Sequence, residues 1–66
     1  MATEHPLKVW RINKGLSQMA MARSLKVSLV TIQFWETGLS MPSPENMTKL
    51  HRLTGITRKE LEQARE

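Results

Sequence analysis

The stretch SQMAMARSLKVSLVTIQFWETG, residues 17–38, contains two short helical patterns joined by a tight turn. Ser17 and Ser28 are both good N-cap residues, because a serine hydroxyl accepts a hydrogen bond from a free N–H group in the first helical turn. Apolar residues recur at helical spacing after Ser17 as far as Leu25, and Gly38 ends the second pattern. Only two residues separate Leu25 from Ser28. The stretch therefore predicts two helices with a turn between them, an arrangement typical of a helix-turn-helix.

The second of these helices carries two apolar stripes. At 100° per residue, Ile32 and Trp35 lie about 60° apart on one side of the helix. Val30 and Phe34 lie about 40° apart on roughly the opposite side. One stripe is enough to pack a surface helix against a core. The second stripe is therefore a candidate binding surface.

One further helix is predicted before this unit and two are predicted after it. The first runs over residues 6–13, with a proline in its first turn and a glycine after its end. The fourth opens at Ser43-Pro44-Glu45, which combines an N-cap, an N1 proline and a first-turn carboxylate, and runs to residues 54–55. The fifth begins with a capping box at residues 57–60 and frays toward Glu66. The residues expected on packing faces are Leu7, Trp10, Met21, Ala22, Leu25, Val27, Ile32, Trp35, Met47, Leu50, Leu53 and Leu61.

Length and composition limit the class of protein. A chain of 66 residues predicts one domain over residues 1–66, with a core too small to support a deep catalytic pocket. The five helical segments and the absence of β-alternation predict that this domain is all-α. The absence of cysteine fits an intracellular protein. No apolar run approaches the roughly 20 residues that a membrane span needs, and no signal-peptide pattern is present. We therefore expect a cytoplasmic protein that is not an enzyme and has no membrane or small-molecule partner.

The net charge of +4 is unevenly distributed. The basic excess lies in residues 7–43, whereas acidic and basic residues balance in residues 53–66. Such an excess suggests a polyanionic partner, either nucleic acid or a membrane surface, but many small basic domains bind neither. His5 and His51 have no acidic or histidine partner at ligand spacing, so we expect no metal site and no cofactor.

Residues 7–56 resemble phage Cro and repressor proteins and the wider XRE-type transcriptional regulators. The residues that carry the resemblance are Leu16-Ser17-Gln18, Met21-Ala22, Leu25, Val27-Ser28, Ile32, Trp35-Glu36, Gly38 and Pro42-Ser43. The resemblance implies a five-helix, lambda-repressor-like fold acting as a Cro-like repressor in the cytoplasm of a bacterial host. Its partner would be a double-stranded DNA operator, bound with the helix of residues 28–37 in the major groove, by a weak homodimer that forms at least on DNA.

The same resemblance implies roles for individual residues. Base contacts fall on Leu29, Val30, Gln33 and Phe34. Phosphate contacts fall on Arg11, Ser17, Gln18, Ser28, Thr37, Ser40 and Met41, and Arg11 also forms an ion pair with Glu36. Dimer contacts fall on the loop before Ser43 and on Gly55 and Ile56.

The sequence departs from its relatives in three places. The base-contacting face is mostly apolar, where relatives usually carry amides, serine or basic side chains. The loop of residues 37–41 lacks the usual lysine or arginine. Lys26 stands where many relatives have glycine, so either lysine adopts a positive φ or the turn is built differently. These departures leave open an alternative function, a protein-interaction module such as an antitoxin or co-regulator, which docks a partner protein through the Val30/Phe34 face.

Overall fold

The computed structural model describes residues 5–64, which form five helices and no strand. These are α1 (Pro6–Asn13), α2 (Gln18–Leu25), α3 (Leu29–Thr37), α4 (Pro44–Thr54) and α5 (Arg58–Ala64). The predicted all-α class and helix order are confirmed. The predicted fraying toward Glu66 lies outside the described residues.

Side-chain caps fix where the helices begin. The hydroxyl of Ser17 accepts from the N–H of Ala20 at 3.0 Å, and that of Ser43 accepts from the N–H of Asn46 at 3.3 Å. Thr57 and Glu60 form the reciprocal capping box, each side chain accepting from the other residue's N–H at 3.2 Å. These bonds satisfy N–H groups that a helix leaves unpaired in its first turn.

The cap of α1 was not expected from the sequence. His5 Nδ1 accepts a hydrogen bond from the N–H of Leu7 at 3.1 Å, and His5 is only 9% exposed. Burial lowers the pKa of His5 below its ordinary value, and the opposing effect of the nearby Glu36 charge is smaller. A neutral ring is required at this position, because a protonated Nδ1 cannot accept the bond.

The core lies where all five helices meet. Its most deeply buried side chains are Leu7, Met21, Ile32, Leu50 and Leu61, one from each helix. α3 packs against both α1 and α2, while α5 packs on α1. Ala22, 2% exposed, gives α2 a small side chain in this packing.

The prediction that Leu53 lies on a packing face is wrong. Met47 and Leu50 are buried, but Leu53 is 40% exposed. Each step of three residues turns about 60° short of a full circle, so the third residue of the series leaves the buried face. Ile56, after the turn at Gly55, is buried instead.

The turn between α2 and α3 has the backbone of a glycine turn although it contains lysine. Lys26 is left-handed, with φ of 58° and ψ of 45°, and it is the one non-glycine residue with positive φ among residues 5–64. The N–H of Val27 donates to the carbonyl of Ala22 at 3.0 Å, and that of Lys26 donates to Arg23 at 3.2 Å. This is the Schellman pattern that ends many helices. The turn therefore has the same backbone geometry as a turn with glycine, and Lys26 adopts a strained left-handed conformation.

Candidate nucleic-acid interface

The two apolar stripes of α3 face opposite environments. Ile32 and Trp35 are 0% and 3% exposed and pack in the core. Val30 and Phe34 are 52% and 44% exposed on the other side. Gln33 is also exposed, and Leu29 is half-buried at the edge of this surface. We call Leu29, Val30, Gln33 and Phe34 the outer face of α3.

A buried ion pair fixes the orientation of α3. Arg11 on α1 donates to Glu36 through Nε at 2.7 Å and through Nη2 at 3.1 Å, and its Nη1 donates to the carbonyl of Leu16 at 2.9 Å. The Arg11 and Glu36 side chains are 12% and 4% exposed. The hydrogen bond to Glu36 raises the pKa of Arg11 above its usual value. Two parallel bonds between planar groups hold both distance and angle, so α3 cannot rotate without breaking them.

Gln18 extends this network to the outer face of α3. Its Nε2 donates to Glu36 Oε1 at 3.1 Å, and its Oε1 accepts from Gln33 Nε2 at 3.4 Å. The carboxylate can only accept, so it sets which end of the Gln18 amide points inward. The Gln18 oxygen is thereby directed at Gln33. A hydrogen-bonded chain therefore runs from Arg11 through Glu36 and Gln18 to Gln33.

The two serines predicted to contact phosphate near the helix-turn-helix, Ser17 and Ser28, act as N-caps in the structure. Ser17 accepts from Ala20, and the Ser28 hydroxyl accepts from the N–H of Thr31 at 3.2 Å and pairs with its hydroxyl at 2.8 Å. Both serines remain exposed at the N-terminal ends of α2 and α3. Their hydroxyl groups therefore lie beside the partial positive charge of a helix end.

The loop after α3 folds back on the helix. The N–H groups of Gly38, Leu39 and Ser40 donate to carbonyls of Phe34 or Trp35 at 3.0 to 3.4 Å. The Thr37 hydroxyl donates to carbonyls of the preceding turn, at 3.0 and 3.2 Å. Within residues 5–64 the structure gives the N–H of Met41 no partner. Of the predicted phosphate-contacting N–H groups in this loop, that of Met41 is thus the one left unpaired.

Two exposed apolar residues beside this surface were missed by the sequence analysis. Leu39, in the loop that follows α3, is 71% exposed, and Met19, next to Gln18, is 47% exposed. The sequence carries no signal for either, because a single apolar residue in a loop or first turn has no periodicity to place it.

The described residues hold neither a metal cluster nor a membrane span. No group of three or more histidine, cysteine or acidic side chains in residues 5–64 could hold a metal ion. None of the helices in that part of the chain has the length and apolar character needed to cross a bilayer.

Comparison with known protein families identifies the family to which the chain belongs. A family described as helix-turn-helix matches residues 7–61, which is most of the chain. The chain belongs to the helix-turn-helix family. The match is to the XRE type, whose members are DNA-binding transcription regulators and not enzymes. In this helix-turn-helix protein, α2 and α3 are the two helices of the motif and Lys26 lies in its turn. No curated protein and no solved structure matches the chain.

Proposed function

We propose that the protein is a Cro-like repressor that inserts the outer face of α3 into the major groove of an operator. The observation that carries this proposal is the exposed Val30 and Phe34 stripe on a helix clamped by a buried ion pair. A major groove about 12 Å wide admits one α-helix. A rigidly held helix can enter it without losing further conformational freedom. The proposal places the protein in the cytoplasm of a bacterial host, where operator DNA lies.

Phosphate contacts would orient the protein on the duplex. Gln18 and Ser17 lie at the N-terminal end of α2, and Ser28 lies at that of α3, where helix ends favour anions. The N–H of Met41, with Ser40 and Thr37 beside it, would hold a second stretch of backbone. Arg11 uses three N–H groups inside the protein, and the two that remain would meet a phosphate at the edge of the site.

Base recognition would depend mainly on methyl groups. Gln33 is the one outer-face residue able to form a bidentate bond, which with adenine is worth about 1–3 kcal/mol of discrimination. Leu29, Val30 and Phe34 would pack on the C5-methyl groups of thymine, each worth roughly 0.8 kcal/mol. We therefore expect modest sequence specificity, a preference for thymine-containing sites and a large contribution from phosphates to affinity.

Two copies would bind a near-palindromic operator. Half-sites about one helical turn apart would require the copies to meet through the loop before Ser43 and the segment of Gly55 and Ile56. Repression would consist of blocking access to the DNA.

The proposal is tested by replacing operator thymines with uracil. Uracil lacks only the C5-methyl group, so binding should weaken by about threefold to fivefold at each thymine that the outer face contacts. Val30→Ser should abolish this sensitivity at one position. Ile12→Ser is the matched control, since Ile12 is equally exposed at 51% but lies on α1. Affinity measured by fluorescence anisotropy on a selected site would reject the proposal if no thymine responds.

A second candidate function rests on the same exposed stripe. A half-exposed phenylalanine beside a half-exposed valine is also a suitable surface for a protein partner, such as an antitoxin or co-regulator complex would use. In that case partner binding would bury Val30 and Phe34, and DNA would not compete for them.

A further inference from the structure

A groove separate from the outer face of α3 lies between the C-terminal end of α2 and the last turns of α4. It has a volume of about 410 Å³ and is largely open to solvent, and the residues that line it are Ser24, Leu25, Lys26, Lys49, Arg52 and Leu53. Ligand pockets generally measure about 300–1,000 Å³. The groove is at the far end of α2 from Gln18, about 10 Å along the helix axis. It shares no lining residue with the outer face of α3.

The groove has an apolar wall. Leu25 is buried at 3% exposure, and Leu53 stands beside it at 40% exposure. Leu53 is the residue that leaves the core side of α4, and the same rotation turns it into this groove. Leu53 can contact one apolar side chain of a ligand, with the small exposed surface of Leu25 at the base of that contact.

All charges that line the groove are positive. Lys26, Lys49 and Arg52 come from two separate elements, and no carboxylate lines the cavity with them. Within residues 5–64 the structure gives none of the three an ion pair. Lys49 and Arg52 are three residues apart and so share a face of α4. The groove therefore concentrates positive potential around an apolar contact.

The backbone conformation of Lys26 is an independent indication that the positive charge of the groove has a function. Its φ of 58° is a conformation that glycine adopts without strain and lysine does not. Strained backbone positions are concentrated at functional sites. Here the strained residue supplies one of the three groove cations.

The geometry points to an acidic peptide segment of a partner protein as the occupant of this groove, anchored by one apolar side chain between Leu25 and Leu53. Carboxylates on either side of the anchor would pair with Lys26, Lys49 and Arg52. A DNA backbone supplies the negative charge but only the small apolar surface of its sugars for Leu53 to contact. An acidic peptide supplies both. The site goes beyond the proposed operator binding, since it provides a place for a second protein on a DNA-bound repressor.

The test is an NMR titration of the full chain, without DNA, with a blocked hexapeptide in which a Leu-Phe pair is flanked on each side by Asp and Glu. Amide shifts are expected in residues 24–26 and 49–53. The double variant Lys49→Gln/Arg52→Gln should bind the peptide about tenfold more weakly, and Leu53→Ser should weaken binding by a similar factor. Lys59→Gln, an exposed lysine on α5, is the matched control and should leave binding unchanged.

Two control peptides separate the contributions of charge and apolar contact. One replaces the four acids by their amides and the other replaces Leu-Phe by two serines, and both should bind more weakly. Shifts confined to residues 29–34, or no shifts at millimolar peptide, would overturn the assignment.

The same variants decide whether the groove is part of the DNA-binding surface. If Lys49→Gln/Arg52→Gln reduces the salt dependence of DNA affinity by about two phosphate contacts, the cations serve DNA and the peptide site is refuted. Because the peptide titration contains no DNA, its failure would leave the operator proposal standing.

Discussion

The backbone conformation of Lys26 lowers the free energy of unfolding of the chain. The left-handed conformation is less favourable for lysine than for glycine by about 1 kcal/mol. We expect Lys26→Gly to raise the free energy of unfolding by about that amount, measured by urea denaturation. Lys26→Ala is the control and should give no such gain, because alanine retains the Cβ atom that causes the strain. Equal stability of the glycine and alanine variants would show that the backbone is not strained there.

His5 makes stability depend on pH. Its pKa in the folded chain is lowered by burial, so the unfolded chain binds more protons as the pH falls below about 6.5. The stability contributed by the neutral ring is therefore complete above about pH 6.5 and is lost as the pH falls through the lower, folded-state value. Thermal unfolding at pH values from 7.5 to 5 should show this loss.

His5→Asn is the control for that experiment. Asparagine is a good N-cap acceptor that does not titrate. The difference in stability between the variant and the parent chain should change across this pH range. A constant difference would mean that the pKa of His5 is the same in the folded and the unfolded chain.

At the scale of elements, the contact between α1 and α3 depends on Glu36. Glu36→Gln leaves Arg11 without a charged partner and replaces one of the two oxygens that accept from Arg11 and Gln18 by an NH2 group. Breaking a buried ion pair costs about 3–5 kcal/mol of folding free energy. Because the Arg11 side chain keeps some contact with solvent, we expect the cost for this pair to lie at the lower end of that range. Chemical denaturation should show a loss of about 3 kcal/mol. Glu62→Gln, on the exposed side of α5, should change stability by less than about 0.5 kcal/mol.

The helices were predictable from the sequence because their ends are encoded locally. Serine at an N-cap and glycine after a helix act within one turn, so they indicate boundaries without knowledge of the tertiary structure. The cap at His5 was not predictable, because histidine is not among the residues that commonly cap helices. The position of Leu53 depends on a rotation that accumulates along α4, and a match of apolar spacing alone does not measure it.

The candidate surface was predictable in part. The opposite stripes of α3 required one side to be exposed, and the structure exposes Val30 and Phe34. The bonding of the loop after α3 was not predictable, since the direction of each N–H group depends on backbone dihedral angles that the sequence does not specify. The network through Gln18 joins residues far apart in the chain, and so only the tertiary structure brings it together.

For the whole molecule, salt dependence separates the two proposed functions. The net charge of +4 and the phosphate contacts proposed for α2, α3 and the following loop predict that DNA affinity falls steeply with salt. With about four phosphates neutralised per copy, the number that matches the net charge of +4, affinity should fall by about 100-fold between 50 and 200 mM salt. Docking of a protein through the apolar Val30 and Phe34 stripe should change little over this range. An affinity for duplex DNA that is independent of salt would contradict the operator proposal.

The chain of bonds from Arg11 through Glu36 to Gln18 and Gln33 affects how genetic data on this protein should be read. A screen for loss of repression would recover changes at positions 11 and 36 together with changes at positions 30 and 34. The first group would also lower the melting temperature and the cellular level of the protein, whereas the second would not. Assigning DNA contacts from such a screen therefore requires the abundance of each mutant to be measured alongside its phenotype.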